Sequence, residues 1–196
     1  MGIFVDIAIL VAFLWAKLSS TQLIGAWHQE KIDERKYTML IPIVVSSVFI
    51  LGATILCLIK PNAGRIFLGL FFLVMAVGVN GLFTFINPQG YVEYARGALI
   101  PPYQKLALSI VTLNPVLFGL LLMSFEIVMG LLILHRQKSV RIGLIGTMIF
   151  LIGIAPLSFL QIPWLGLIIG EAYLLTKQFD SSFLDIVKSK LGPQHS

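Results

Sequence analysis

Long blocks of apolar residues alternate with short charged or Pro/Gly-marked breaks, and no other feature constrains the fold of this chain as tightly. Met39–Ile59 runs for 21 residues without a charge. Ile66–Ile86 is a second block, interrupted only by Asn80. Pro115–Leu134 is a third and holds a single carboxylate, Glu126. A hydrocarbon core about 30 Å thick is crossed by ~20 apolar residues at 1.5 Å per residue, and each block meets that length. The expected partner is a lipid bilayer. The expected fold class is all-α, because a helix satisfies its backbone N–H and C=O groups within itself.

Composition narrows the function classes. Only 12% of the 196 residues are charged, and they sit between the apolar blocks, so no sizeable water-soluble domain can be cut from the remainder. The single cysteine, Cys57, lies inside a block and reads as packing; one thiol forms no internal disulfide, CxxC pair or zinc site. The histidines, His28, His135 and His195, all lie outside the blocks, so the pair of facing axial ligands that a buried haem needs is not offered. No metal site and no required cofactor are expected. The net charge of +5 reads as membrane-flanking Lys and Arg, without nucleic acid as a partner. The opening Met1-Gly2-Ile3-Phe4-Val5-Asp6 has no basic n-region, so the first apolar segment reads as a retained helix, and Asp6 breaks the N-myristoylation pattern.

Six helices are expected to cross. The first, Ile3–Ile24, carries Asp6 and Lys17 on one stripe near its ends, where both can snorkel. His28–Lys36 is a charged connector. Met39–Ile59 follows with Pro42 in its first turn, then Ile66–Ile86, closed by the turn Asn87-Pro88-Gln89-Gly90. Residues 91–113, with Tyr91, Tyr94 and Tyr103 among charges, read as an interfacial segment packed across the mouth of the bundle. Asn114-Pro115 is an N-cap and first helical residue for the fourth helix. Two short helices, about 141–158 and 161–177, are bracketed by Pro156 and Pro163. In the tail, Phe179, Phe183, Ile186, Val187 and Leu191 form one face of an amphipathic interfacial helix that ends at Gly192-Pro193. Six spans put Lys60, Arg65, Arg136, Lys138, Arg141, Lys177, Lys188 and Lys190 on one side. Lys17, Lys31, Arg35, Lys36, Arg96 and Lys105 fall on the other. The excess favours both termini in the cytoplasm.

Asn80, Glu126 and Glu171 are out of place in lipid. A carboxylate at the bilayer centre costs several kcal/mol unless it is protonated, paired or facing a cavity. These three are therefore the candidate ligand-binding or proton-carrying residues. Counted from the side of residues 91–113, Glu126 lies ~18 Å deep, Glu171 ~15 Å and Asn80 ~9 Å. The two carboxylates are thus expected at similar height, where a close pair would share a proton. Helix glue, by hydrogen bonding between neighbouring helices, is the competing role. No nucleophile elbow, HExxH or Walker loop accompanies them, so no catalytic residue is assigned.

Several short stretches resemble the DoxX-like family of four-helix membrane proteins. Gly64-Arg65-Ile66-Phe67-Leu68-Gly69-Leu70-Phe71-Phe72 looks like that family's first-helix opening, and Asn87-Pro88-Gln89-Gly90-Tyr91 like its turn into an outer segment. Glu126-Ile127-Val128-Met129-Gly130-Leu131 looks like its second-helix Glu followed by Gly, and Arg141-Ile142-Gly143 like the start of its third helix. Members often carry a Lys near the end of the first helix, where Asn80–Ile86 has none. The resemblance implies a left-handed antiparallel four-helix bundle core over 64–177; two extra N-terminal transmembrane helices in 1–63 and the amphipathic tail in 178–196 lie outside it. It also implies a small subunit or assembly factor of a membrane complex, with other membrane protein subunits as partners and a bound quinone or lipid in the bundle. Two other functions stay open: a proton-coupled carrier using Glu126 and Glu171, and a membrane enzyme acting on a lipophilic substrate.

Overall fold

A computed structural model describes residues 32–191, with side chains described for 41–189. The elements in order are α1 (Ile32–Ile59), α2 (Pro61–Val74), a π-helical segment (Met75–Gly81), α3 (Leu82–Ile86), α4 (Gln89–Arg96) and α5 (Pro101–Val111). They continue as α6 (Pro115–Leu134), α7 (Lys138–Ile154), 3-10 turns at Ala155–Leu157 and Phe159–Gly166, α8 (Leu167–Leu175) and α9 (Phe183–Leu191). The protein is all-helical over the described residues. Four helical stretches are long and apolar enough to cross a membrane: Ile41–Ile59, Pro61–Ile86, Pro115–Leu134 and Lys138–Leu157. Phe159–Leu175 is a shorter apolar one. The first apolar block Ile3–Ile24 with Asp6 and Lys17, the connector's His28, and Gly192-Pro193 lie outside the described residues.

Several boundaries depart from the sequence reading. Helix α1 takes in Ile32–Lys36, part of the expected connector, because no Pro or Gly interrupts the run before Met39. Pro42 is consequently interior to the helix, and its carbonyl accepts the buried Ser46 hydroxyl. Helix α2 starts at Pro61, five residues before Ile66, since proline at the first position is preset for a helix and the amide of Gly64 already closes on Lys60 at 2.9 Å. The expected helix over 161–177 begins as 3-10 turns, and only Leu167–Leu175 is α-helical, because Pro163 supplies no N–H for a continuous ladder. Elsewhere the local signals hold. The Asn114 side chain accepts from the Leu117 amide at 3.0 Å, with Pro115 first in α6.

Glycines set the closest helix approaches. A Cβ on Gly69 would lie 3.0 Å from the Gly130 carbonyl, and one on Gly130 would lie 2.9 Å from the Gly69 carbonyl, so α2 and α6 touch backbone to backbone. Gly143 of α7 meets Ile133 of α6, and Gly170 of α8 meets Cys57 of α1. Helix α1 packs against α2, α8 and the 159–166 turn. Phe49, Phe71 and Trp164 join in the main core, with Phe71 and Trp164 stacked at 5.4 Å. A smaller cluster of Tyr91, Val92, Ala95 and Val111 holds α4 and α5 together at the other end, against Phe83 and Phe118.

At the end where Lys60 and Lys177 lie, Arg65 is fully buried. Its guanidinium donates to the His135 carbonyl at 2.7 Å and the Ser181 carbonyl at 2.9 Å, and sits 4.6 Å over the Phe179 ring. Phe179 therefore leaves the expected amphipathic face of the tail and belongs to the core. Its carbonyl also accepts from Gln137, the one non-glycine residue with positive φ among those described. The tail helix starts only at Phe183. A reciprocal cap opens it: Ser182 Oγ accepts from the Asp185 amide at 3.2 Å, and the Asp185 carboxylate accepts from the Ser182 amide at 2.9 Å. The Ser182 hydroxyl, which donates to the same carboxylate at 2.7 Å, and then the Ser182 amide hold the Asp185 carboxyl below the usual carboxylate range.

Candidate functional site

Helices α4 and α5 close one end of the bundle, and beneath them lies a cavity of about 240 Å³. Its wall is mostly apolar and aromatic. Phe71, Phe72, Met75, Val79 and Phe83 come from the Pro61–Ile86 helix, Phe118 and Leu122 from α6, and Phe150 and Ile154 from α7. Trp164 and Gln161 come from the 3-10 turn, and Leu106 and Ile110 from α5. This composition, apolar with a few placed polar groups, is that of small-molecule sites.

The polar groups converge at one end. Glu126, 3% exposed, accepts a hydrogen bond from Asn80 Nδ2 on Oε2 at 2.6 Å. The Asn80 backbone carbonyl accepts from the Thr84 hydroxyl at 2.6 Å and from the Tyr91 hydroxyl at 3.0 Å, and those two hydroxyls lie 3.1 Å apart. Tyr91 also reaches Asn80 Oδ1, at 3.4 Å. Both sides of Asn80 are thereby fixed, and its amide is aimed at the carboxyl. Among the described residues Oε1 of Glu126 has no hydrogen-bond partner, and Glu126 lines the cavity. Burial pushes the Tyr91 phenol above its ordinary range, with Glu126 acting in the same direction against the Thr84 bond. Tyr91 therefore acts as a neutral hydroxyl.

The backbone explains this placement. Asn80 sits in the π-helical segment Met75–Gly81, where the wider turn disturbs the regular ladder. Its carbonyl is served by side-chain hydroxyls, and π segments recur where a helix presents functional groups. Gly119 of α6 lets the network close. A Cβ there would come within 2.2 Å of the Thr84 hydroxyl and 2.7 Å of the Tyr91 ring. On the α5 side, the Tyr103 hydroxyl donates to the Gly153 carbonyl, and the Leu99 amide donates to the Pro156 carbonyl at 2.8 Å. Burial also raises the Tyr103 phenol.

Asn80 and Glu126, two of the three sequence candidates, are thus brought together, and the third is not. Asn80 and Glu126 differ in counted depth, and their side chains bridge the difference. The contacts of Gly119 with Thr84 and of Gly69 with Gly130 put the Ile86 and Pro115 ends within about 3 Å of level. Helix α4 folds back into the mouth there, with Tyr91 as its anchor. Glu171 does not line the cavity. It is wholly buried beside Thr147 and Cys57, and neither carboxyl oxygen has a hydrogen-bond partner among the described residues. The Thr147 hydroxyl is directed to the Gly143 and Leu144 carbonyls at 3.1 and 3.0 Å. Glu126 thus lines the cavity, and Glu171 sits beside Thr147 and Cys57 outside that lining.

Sequence reasoning passed over Tyr91, Thr84, Gln161 and Arg65. Tyr91 and Arg65 look like ordinary interfacial residues by type and position. A usable signal was the i, i+4 pair Asn80 and Thr84, two polar side chains on one face of an otherwise apolar block. No known protein family, curated protein or solved structure matches the chain.

Proposed function

We propose that this chain is a non-catalytic membrane subunit or assembly factor whose bundle holds a lipophilic small molecule, of lipid or quinone type, against Glu126. One observation carries the reading: an apolar, aromatic-walled cavity is lined by a buried carboxyl, one of whose oxygens has no hydrogen-bond partner among the described residues. A carboxyl in lipid with a spare oxygen is costly, and a polar group on an otherwise greasy ligand relieves that cost. The same reading takes 64–177 as a DoxX-like antiparallel four-helix core with two extra N-terminal transmembrane helices, α1 being the second. The packing of α1 on α2 and α8 supports this. It gives six crossings with both termini cytoplasmic.

The test is purification in mild detergent followed by native mass spectrometry of the wild type and of Glu126→Leu. The wild type is expected to retain an organic molecule and to carry other membrane subunits with it. Glu126→Leu is expected to stay folded and lose the molecule. A wild type that emerges empty and alone would overturn the proposal.

A further inference from the structure

The cavity is only partly enclosed. Leu106 and Ile110, one turn apart on α5, line it and are 57% and 50% exposed. Phe150 and Ile154 of α7 line the same cavity. The two helices nevertheless form no packed interface. Helix α5 rests on α4, on α6 and on the Ala155–Leu157 turn. It is tied to the α7 side only at its start, through Tyr103 to Gly153 and Leu99 to Pro156. Beyond that tie the described residues of α5 and α7 share no packed interface, and those of them that line the cavity, Leu106, Ile110, Phe150 and Ile154, are apolar. Side chains of this kind meet acyl chains.

Volume decides what passes through. At about 240 Å³ the cavity falls below the ~300–1,000 Å³ of sites that enclose a whole drug-sized ligand. Its polar end is at Glu126, and the exposed side chains on its α5 side, Leu106 and Ile110, are apolar. We propose that the site takes a single-tailed bilayer molecule head first, with a small hydrogen-bonding head at Glu126 and the hydrocarbon tail leaving between α5 and α7. This rests on the lipophile-binding function proposed above and specifies the ligand class: a molecule with a head no larger than a small ring or hydroxyl, delivered from the membrane.

Trp164, on the wall and 4% exposed, is the reporter. In a Trp15→Phe, Trp27→Phe background reconstituted in phosphatidylcholine bilayers, three quenchers are compared. They are 2-bromohexadecanol dissolved in the bilayer, phosphatidylcholine brominated at mid-chain, and acrylamide in the water. The expected result is quenching by the bromoalcohol, with loss of that quenching in Ala107→Phe, which narrows the proposed route from α5, and in Glu126→Leu, which removes the head's partner. Quenching by the brominated phospholipid to the same extent would overturn the head-first assignment. Quenching by acrylamide alone would show that the cavity opens to water and overturn the side route. No quenching by any of the three would show a closed cavity, again overturning the route. In the last two cases a molecule still retained through purification would leave the proposed function standing.

Discussion

Gly119 is the position where a single atom decides the state of the site. Adding one methyl places carbon where the Thr84 hydroxyl and Tyr91 ring already are. Both side chains must retreat, and both are what hold the Asn80 carbonyl. Gly119→Ala is therefore expected to cost about 1–3 kcal/mol, the usual range for overpacking a tight interior. It should also loosen the Asn80–Glu126 bond, so any copurified molecule is retained less well. Thermal unfolding in detergent and native mass spectrometry measure the two effects. An unshifted melting temperature would mean that α6 can slide away from α3 without cost. Gly69 and Gly130 also pack tightly, but away from the cavity. Gly130→Ala is expected to lower stability without preferentially releasing the ligand.

Among the elements, the tail divides at Ser182. Upstream, Phe179 and the Ser181 carbonyl complete the surroundings of Arg65. Downstream, α9 has its own cap and an amphipathic face. Truncation after Ser182 is expected to leave an inserted, monodisperse protein. Truncation after Lys177 strips a buried guanidinium of its ring and one of its two acceptors, and breaking the surroundings of a buried charge costs about 3–5 kcal/mol. Size-exclusion profiles and melting temperatures of the two truncations check this, and equal behaviour would show that Arg65 finds new partners. The tail also shows where a sequence stops being informative. A face of Phe179, Phe183, Val187 and Leu191 fits a helix by spacing alone, and nothing in spacing reveals that Arg65, more than a hundred positions earlier, needs the first of those rings. By contrast, Asn114 with Pro115, or the turn at Asn87–Gly90, was legible because cap and turn chemistry is settled by neighbours in the chain. Tyr91 was legible as a residue of the mouth and illegible as a ligand of the Asn80 carbonyl, since that depends on how far α4 folds inward.

For the molecule as a whole, apolar block length conveyed the helices, and counting along them did not convey which side chains meet. Asn80 and Glu126, of unequal counted depth, are bonded neighbours because long side chains reach along the helix axes. Topology is the corresponding open expectation. With six crossings, cysteines placed at Ser196 and Gln104 in a Cys57→Ala background should be labelled by an impermeant maleimide from opposite faces. Labelling of both from one face would sink the six-span arrangement, and an outside label at position 196 would invert it. The π segment Met75–Gly81 carries a consequence of its own at this scale. A π turn is, in effect, an α-helix with one surplus residue. Removing one residue there, Gly78 for example, would restore the ordinary ladder while leaving the helix faces on either side nearly in phase, because the wide turn has already absorbed the surplus residue. The helix thus carries an insertion at the polar end of the cavity without turning Phe71 and Phe72 on one side away from the face that holds Thr84 on the other.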